Sequence, residues 1–325
     1  MTTPTVYAST DASAPVLQGN VGSLIALLDA CLVNGYTGKP AAGWTKDFSG
    51  TNLAAYRMGT GGTARRMYLR VDDTNATLAR LRGFDSMTDV NTGTEPFPTV
   101  AQSANGHTIY KSNTAAATRA WVIVATPTCF YLCIVANQTT IIQSTSTNMF
   151  FFGQYPTEHP SSFVHNVAIV GSQETNVDVN GCFMTINGPL GFSPLAGNHV
   201  CRGVINLSGA VQVGKGIDWS AMGYSGTGVA GVAHGVTWPS SLTGAVYGSR
   251  MRLIATDSGV TILGRLPGLW VPFYPSGNPV GNPMDTINGS GSLAGRTLLV
   301  LAPASAPGTG SNVNARVFLD ITSLD

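Results

Sequence analysis

Apolar residues at Val21, Leu24, Ile25, Leu28, Cys31 and Leu32 recur at the spacing of one helical face. That spacing predicts a helix. Leu27 and Val33 widen its apolar surface, so the helix seeks burial on more than one side. Asn20 or Ser23 is placed to cap its start, and Asn34-Gly35 to end it in a left-handed turn. Almost everywhere else the pattern is that of short strands. Arg66 to Asp72 alternates with period two, and Leu78 to Met87 is a candidate partner. Trp121–Ala125 and Phe130–Val135 are continuous apolar runs around Thr126-Pro127-Thr128, the signature of a hairpin of buried strands. Val177–Val179 and Cys182–Ile186 flank Asn180-Gly181, a pair that accepts the positive φ angles of a type I′ turn. Met251–Thr256 and Val260–Leu266 flank Asp257-Ser258-Gly259 as a further hairpin, and Thr297–Leu301 and Arg316–Ile321 are expected as closing strands.

These elements predict a mainly β protein with β-sandwich-like subdomains and one N-terminal α-helix packed on a sheet built from Tyr68–Val71 and Trp121–Val135. The polar stretch Pro156-Thr157-Glu158-His159-Pro160-Ser161-Ser162 places a boundary between residues 1–155, holding the helix and a β subdomain, and residues 156–325, a second β subdomain. Between Gly209 and Gly248 glycine is dense and periodicity poor, which predicts long loops or irregular strands.

Composition changes the picture in one respect, the scarcity of charge. The 325 residues include 17 Lys+Arg and 16 Asp+Glu, or 10% charged with a formal net charge of +1. A typical soluble domain is about 25% charged. The balance argues against a disordered chain, which combines low hydrophobicity with high net charge. It also argues against nucleic-acid binding, which needs clustered cations. The densest cationic stretch, Ala64 to Arg70, runs straight into Asp72-Asp73. The longest apolar run, Trp121 to Ala136, falls short of the roughly 20 residues of a membrane span and is broken by Thr126-Pro127-Thr128. Met1-Thr2-Thr3-Pro4 shows no signal-peptide pattern. Cys31, Cys129, Cys133, Cys182 and Cys201 contain no C-x-x-C pair and are expected as reduced, buried thiols.

Motifs that would carry chemistry fail their context tests. Gly226-Thr227-Gly228-Val229-Ala230-Gly231 spells G-x-G-x-x-G, but no clean strand precedes it, no helix follows, and the next acid is Asp257. Gly223-Tyr224-Ser225-Gly226-Thr227 is one residue short of a nucleophile elbow and lacks its helix. His107, His159, His165, His199 and His234 form no ligand pair and read as loop or surface histidines. Asp72, Asp73, Glu158, Glu174 and Asp178 are the candidate acids, yet nothing selects the two that a glycosidase needs. The expectation is a chain with no catalytic, cofactor-binding or metal-ligating residues.

Few charges amid much Thr, Ser, Asn and Gly fit either a neutral hydrogen-bonding surface or a surface covered by other subunits, since interface cores are depleted of charge. Several segments, in order, carry a resemblance. Val6 to Leu17 leads into the helix Leu24 to Tyr36, followed by Gly43-Trp44-Thr45-Lys46 and Phe48-Ser49-Gly50-Thr51-Asn52. Tyr68-Leu69-Arg70-Val71-Asp72-Asp73, Arg82-Gly83-Phe84, Phe151-Phe152-Gly153 and Gly264 to Pro272 come next. The series resembles a family of tailed-bacteriophage virion structural proteins. The resemblance implies a particle component without catalysis, made in the host bacterial cytoplasm and resident in the virion. Its partners would be copies of itself in a homo-oligomer and other virion proteins, with no nucleic acid and no membrane. A tail or baseplate position is the first reading. A capsid decoration or cement protein and a module that binds host-surface glycan are the alternatives, with a glycan-cleaving enzyme behind them. Leu24, Leu28, Trp44, Trp121 and Trp270 are the expected anchors of cores or subunit contacts. Gly264 to Pro272 is expected to form a glycine-proline turn beside Trp270.

Overall fold

A computed structural model describes residues 3–61, 66–101, 103–142, 146–157, 166–173, 199–204, 211–214, 217–218, 248–255, 261–272, 281–305 and 314–324. The chain is mainly β, and the strands among the described residues form three antiparallel sheets. An eight-stranded sheet orders Thr5–Ala8, Thr118–Ala125, Cys129–Val135, Thr147–Gln154, Val167–Val170, His199–Val204 and Val211–Gly214, with Leu17–Gln18 also paired to Thr118–Ala125. A seven-stranded sheet orders Ser172–Gln173, His107–Tyr110, Leu78–Met87, Tyr68–Asp72, Leu53–Arg57 and Thr45–Gly50, with Gly93–Phe97 added to Leu78–Met87. A six-stranded sheet orders Ile217–Asp218, Gly248–Ala255, Thr261–Pro272, Asn314–Asp320, Thr297–Ser305 and Thr286–Asn288. Among the described residues no helix is long and apolar enough to cross a membrane.

The eight-stranded sheet is the middle layer, and its sequence shows why. Along Cys129–Val135 the side chains alternate between two cores. Phe130, Leu132 and Ile134 pack with Leu24, Leu28, Leu69 and Val71, whereas Cys129, Tyr131 and Cys133 pack with Leu253, Leu269, Val317 and Leu319. Trp121, Ile123, Phe150 and Phe152 follow the first set, and Val122, Val124, Met149 and Phe151 the second. A strand buried on both faces has no place for a polar alternate, so it reads as an unbroken apolar run. Each fully buried side chain of this size contributes about 1.5–3 kcal/mol. Tyr131 also donates its hydroxyl to the Pro267 carbonyl at 2.8 Å, which pins the middle layer to the six-stranded one.

The expected hairpins form where described. Ala125 pairs with Phe130 and Ala255 with Thr261, while the candidate partner strands pair Tyr68 with Phe84 and the two closing strands pair Ala304 with Ala315. The Val177–Ile186 hairpin lies outside the described residues, as does most of Gly209–Gly248, of which Val211–Gly214 and Ile217–Asp218 are strands. The eight-stranded sheet takes strands from both sides of the 155/156 junction, because Thr147–Gln154 pairs with Val167–Val170. Directly after Gly171 the chain joins the seven-stranded sheet, where Ser172 pairs with Thr108.

Two local expectations are corrected. The helix packs on the sheet, but it is α-helical only over Ser23–Leu28 and continues as a π-helix over Asp29–Asn34, ending at Gly35 with φ 73°. Neither Asn20 nor Ser23 caps it: Gly22 stands at the N-cap with φ 74°, and Ser23 Oγ instead accepts the Gln18 N–H at 2.8 Å. Side chains rarely adopt that left-handed φ, and a Cβ at Gly22 would lie 2.8 Å from Asn52 Oδ1. Second, Gly264–Pro272 is no turn but part of the single strand Thr261–Pro272. Its register against Gly248–Ala255 jumps between Arg250 and Arg252, with Gly268 at φ 65° in the residues displaced. Glycine relieves a bulge there and leaves the strand continuous.

Candidate functional site

Among the described residues, one group of polar side chains lies inside the fold and another on its surface. The inner one starts at Asp73, just beyond Tyr68–Asp72. Its Oδ2 accepts the Leu24 N–H at 2.7 Å and the Ile25 N–H at 3.2 Å, so a residue far along the chain caps the helix. Its Oδ1 accepts from Lys111, and Lys111 Nζ donates also to the carbonyls of Asn20 at 2.6 Å and Asn75 at 2.9 Å. Both side chains are 0% exposed. Burial pushes the Asp73 carboxyl up and the Lys111 ammonium down, while their mutual attraction opposes both shifts. All three ammonium protons have acceptors and both carboxylate oxygens have donors, which is the condition for keeping an ion pair inside a protein. The node fastens the helix start to the ends of two strands.

Asp72 points the other way. Strand alternation places it on the outer face of the seven-stranded sheet with Tyr68 and Arg70, while Leu69 and Val71 face the core. On the paired strand Arg80 and Arg82 take the same outer face, since Ala79 and Leu81 face the core. The register sets Arg70 opposite Arg82 and Asp72 opposite Arg80. Arg70, Asp72, Arg80, Arg82, Phe84, Asn91 and Asn105 line a cleft of about 180 Å³. Arg70 Nε donates to the Val90 carbonyl at 2.8 Å and its Nη2 to Asn91 Oδ1 at 3.2 Å. Arg82 Nη2 donates to the carbonyls of Ser103 at 2.5 Å and Ala104 at 2.8 Å. Asp72 is occupied by Thr74, whose hydroxyl donates to Oδ1 at 2.6 Å, and its Oδ2 is 3.8 Å from Arg70 Nη1. Arg80 is exposed and, among the described residues, makes no ion pair or hydrogen bond.

The sequence-expected anchors sit as follows. Leu24, Leu28, Trp44 and Trp121 meet in one core between the helix, the middle sheet and the seven-stranded sheet. Trp44 donates its indole N–H to the Thr126 carbonyl at 2.8 Å, and Trp121 donates to the Pro15 carbonyl at 3.1 Å. Trp270 is apart from them. It is partly buried against Leu298, Val300 and Phe318 on the six-stranded sheet, with the Arg250 guanidinium 4.7 Å from its ring centroid. Cys31, Cys129 and Cys133 are free, buried thiols. His107, expected on a loop or the surface, is buried at the start of His107–Tyr110. Asp72 and Asp73, the adjacent candidate acids, face opposite sides of their sheet and share no cleft. Glu158, Glu174, Asp178, His159, His165 and His234 lie outside the described residues. Among the described residues no three His, Cys, Asp or Glu converge as metal ligands.

Neither Lys111 nor Arg80 stands out in the sequence, and Arg82 does so only within the Arg82-Gly83-Phe84 segment. Lys111 has no local signal, because its partners come from other strands and loops. Arg80 and Arg82 did have one: period-two alternation on Leu78–Met87 puts both, with Phe84, on a single face. No protein-family model matches the chain, and no curated protein sequence matches it.

Proposed function

We propose that the chain is a non-enzymatic structural component of a tailed-phage virion, on the tail or baseplate side, acting through contacts with copies of itself and with neighbouring virion proteins. The observation that carries the reading is how its few charges are spent. Among the described residues, ion pairs join Lys39 to Asp11, Lys46 to Asp29, Arg57 to Asp47, Arg70 to Asp72, Lys111 to Asp73 and Arg296 to Asp320. Charges paired with the opposite sign largely cancel, so the unbalanced charge at the surface is smaller still than the 10% charged composition implies. A soluble monomer depends on surface charge to keep copies apart, whereas a subunit of an assembly needs neutral, hydrogen-bonding faces. The doubly buried middle sheet supports the same reading, since it supplies a stiff body for transmitting load. The ordered sequence resemblance supplies the phage context.

The test is the mass of the purified chain in solution together with its copy number in purified particles, counted by quantitative mass spectrometry. A symmetric oligomer, present in tens of copies or fewer, is the expected result. Hundreds of copies would replace the tail position by capsid decoration. A monomer absent from infectious particles overturns the proposal.

A further inference from the structure

We propose that Asp11 and Lys39 form a plug that closes the Thr5–Ala8 edge of the eight-stranded sheet against strand addition by a second copy of this chain. The inference goes beyond the assembly reading, since it names an edge through which copies do not pair. Among the described residues Thr5–Ala8 is an end strand of that sheet, paired with Thr118–Ala125. An end strand presents a row of unpaired N–H and C=O groups, a template for another chain. The Ser9 N–H donates inward to the Trp121 carbonyl at 3.0 Å. By antiparallel alternation Thr5 and Tyr7 also bond inward, while Val6 and Ala8 turn their backbone groups outward. Pro4, two residues before Val6, has no N–H to offer.

Asp11 and Lys39 meet the outward groups. The Ala8 N–H donates to Asp11 Oδ2 at 2.8 Å, and the Ala8 carbonyl accepts the Asp11 N–H at 3.0 Å. The Val6 carbonyl accepts from Lys39 Nζ at 2.6 Å, and that Nζ lies 3.5 Å from Asp11 Oδ1. A local turn accounts for the first two bonds. It does not account for the third, which joins residues 33 apart. Lys39 is held in place for it. Tyr36 and Lys39 exchange both backbone hydrogen bonds, at 3.0 and 2.8 Å. The Tyr36 hydroxyl donates to Asp11 Oδ2 at 2.6 Å and the Tyr7 hydroxyl to the Pro40 carbonyl at 2.7 Å, so the turn is tied over the edge at both ends. The side chains of Lys39 and Asp11 are 29% and 21% exposed, which puts them on the outside of the edge, where an added strand would arrive. Such a strand would have to displace a charged pair from the groups it needs. A second copy is the occupant that an opened edge would take, because identical strands pair antiparallel about a two-fold axis and so complement themselves. A surface ion pair contributes little to stability, so the plug can be removed without unfolding the chain.

The solution mass of the full chain, measured by light scattering over a range of concentrations, tests the plug. The variant with both Asp11→Ala and Lys39→Ala is expected to associate to about twice the parent's mass as concentration rises, with the Val6 amide exchanging more slowly in the associated form. Adding Val6→Pro should return the mass to that of the parent. Proline removes an outward N–H that an added strand would use and that the pairing with Thr118–Ala125 does not. Lys39→Ala alone leaves the Ala8–Asp11 turn in place, and it keeps the test open if the double variant folds poorly. It is expected to associate at higher concentration, with the same sensitivity to Val6→Pro. Single and double variants that keep the parent's mass overturn the proposal. Association that persists with Val6→Pro runs through some other surface and overturns it as well. Each comparison is with the parent, so the outcome is separate from the parent's own oligomeric state, on which the assembly reading is tested.

Discussion

Asp72 and Asp73 are the same residue side by side, and their fates differ completely because one step along a strand reverses the face. Asp72 stands at a solvated cleft. Asp73 is sealed beneath the helix with Lys111 as its counter-ion. Removing one member of such a pair leaves the other charged in an apolar site, so Lys111→Met is expected to cost about 3–5 kcal/mol in denaturant unfolding. Asp73→Asn combined with Lys111→Met should recover part of that loss, because the asparagine carbonyl still accepts from the helix start. A Lys111→Met cost below about 1 kcal/mol would show that the pair does not hold the helix. Tryptophans divide in the same way. Trp121→Ala is expected to cost about 3–5 kcal/mol, as a fully buried aromatic does. Trp270→Ala should cost less than half as much, since Trp270 is only partly buried and packs on a small satellite cluster. Equal costs would contradict this division. The sequence could name these tryptophans as anchors, but the distinction between them depends on which layer lies opposite, and that is not a local property.

At the scale of elements, what was legible followed from periodicity. The runs Trp121–Ala125 and Phe130–Val135 announced doubly buried strands, and they occupy the middle of the stack. The helix was legible in its apolar face but not in its ends. Its cap comes from Asp73, and its second half is a π-helix in which Asp29 Oδ1 accepts the Tyr56 hydroxyl at 2.9 Å. Both features are tertiary, so no local spacing encodes them. Glycine and proline punctuate turns and bulges alike, so at Gly268 only pairing on both sides tells the two apart. Amide exchange should follow the layers. The Thr118–Ala125 and Cys129–Val135 strands are expected to exchange slowest. Thr45–Gly50 lies at a sheet edge with five of its six residues exposed and a bulge between Lys46 and Phe48, so it should exchange among the fastest. Faster exchange in the central hairpin than at that edge would contradict the layered arrangement. The charged edge is itself protective, since Lys46 and Asp47 discourage pairing with another chain there.

For the molecule as a whole, burial of weak acids fixes how stability responds to pH. Cys129 and Cys133 sit in the interior between the middle and six-stranded layers, where burial pushes their thiols from the ordinary 9.0 up to about 12. Burial likewise raises Tyr7 from 10.0 to about 12, raises Tyr131 well above 10.0, and moves Cys31 and Tyr56 in the same direction. Each of these groups holds its proton more tightly in the fold than in the unfolded chain. Their contribution is therefore fully present below about pH 9 and is lost as pH rises toward 12, because the unfolded chain releases protons that the fold retains. Melting temperature is expected to be nearly constant from about pH 7 to 8 and to drop by several degrees near pH 9.8. A Cys133→Ala variant, with one retained proton fewer, should show a shallower decline over the same interval. In the native protein the three described thiols should resist a thiol-labelling reagent at about pH 8 and become reactive in denaturant, since only the thiolate reacts. A melting temperature that is level to pH 9.8, with thiols that label at once, would mean that the middle sheet is open to water and that the three-layer stack does not persist in solution.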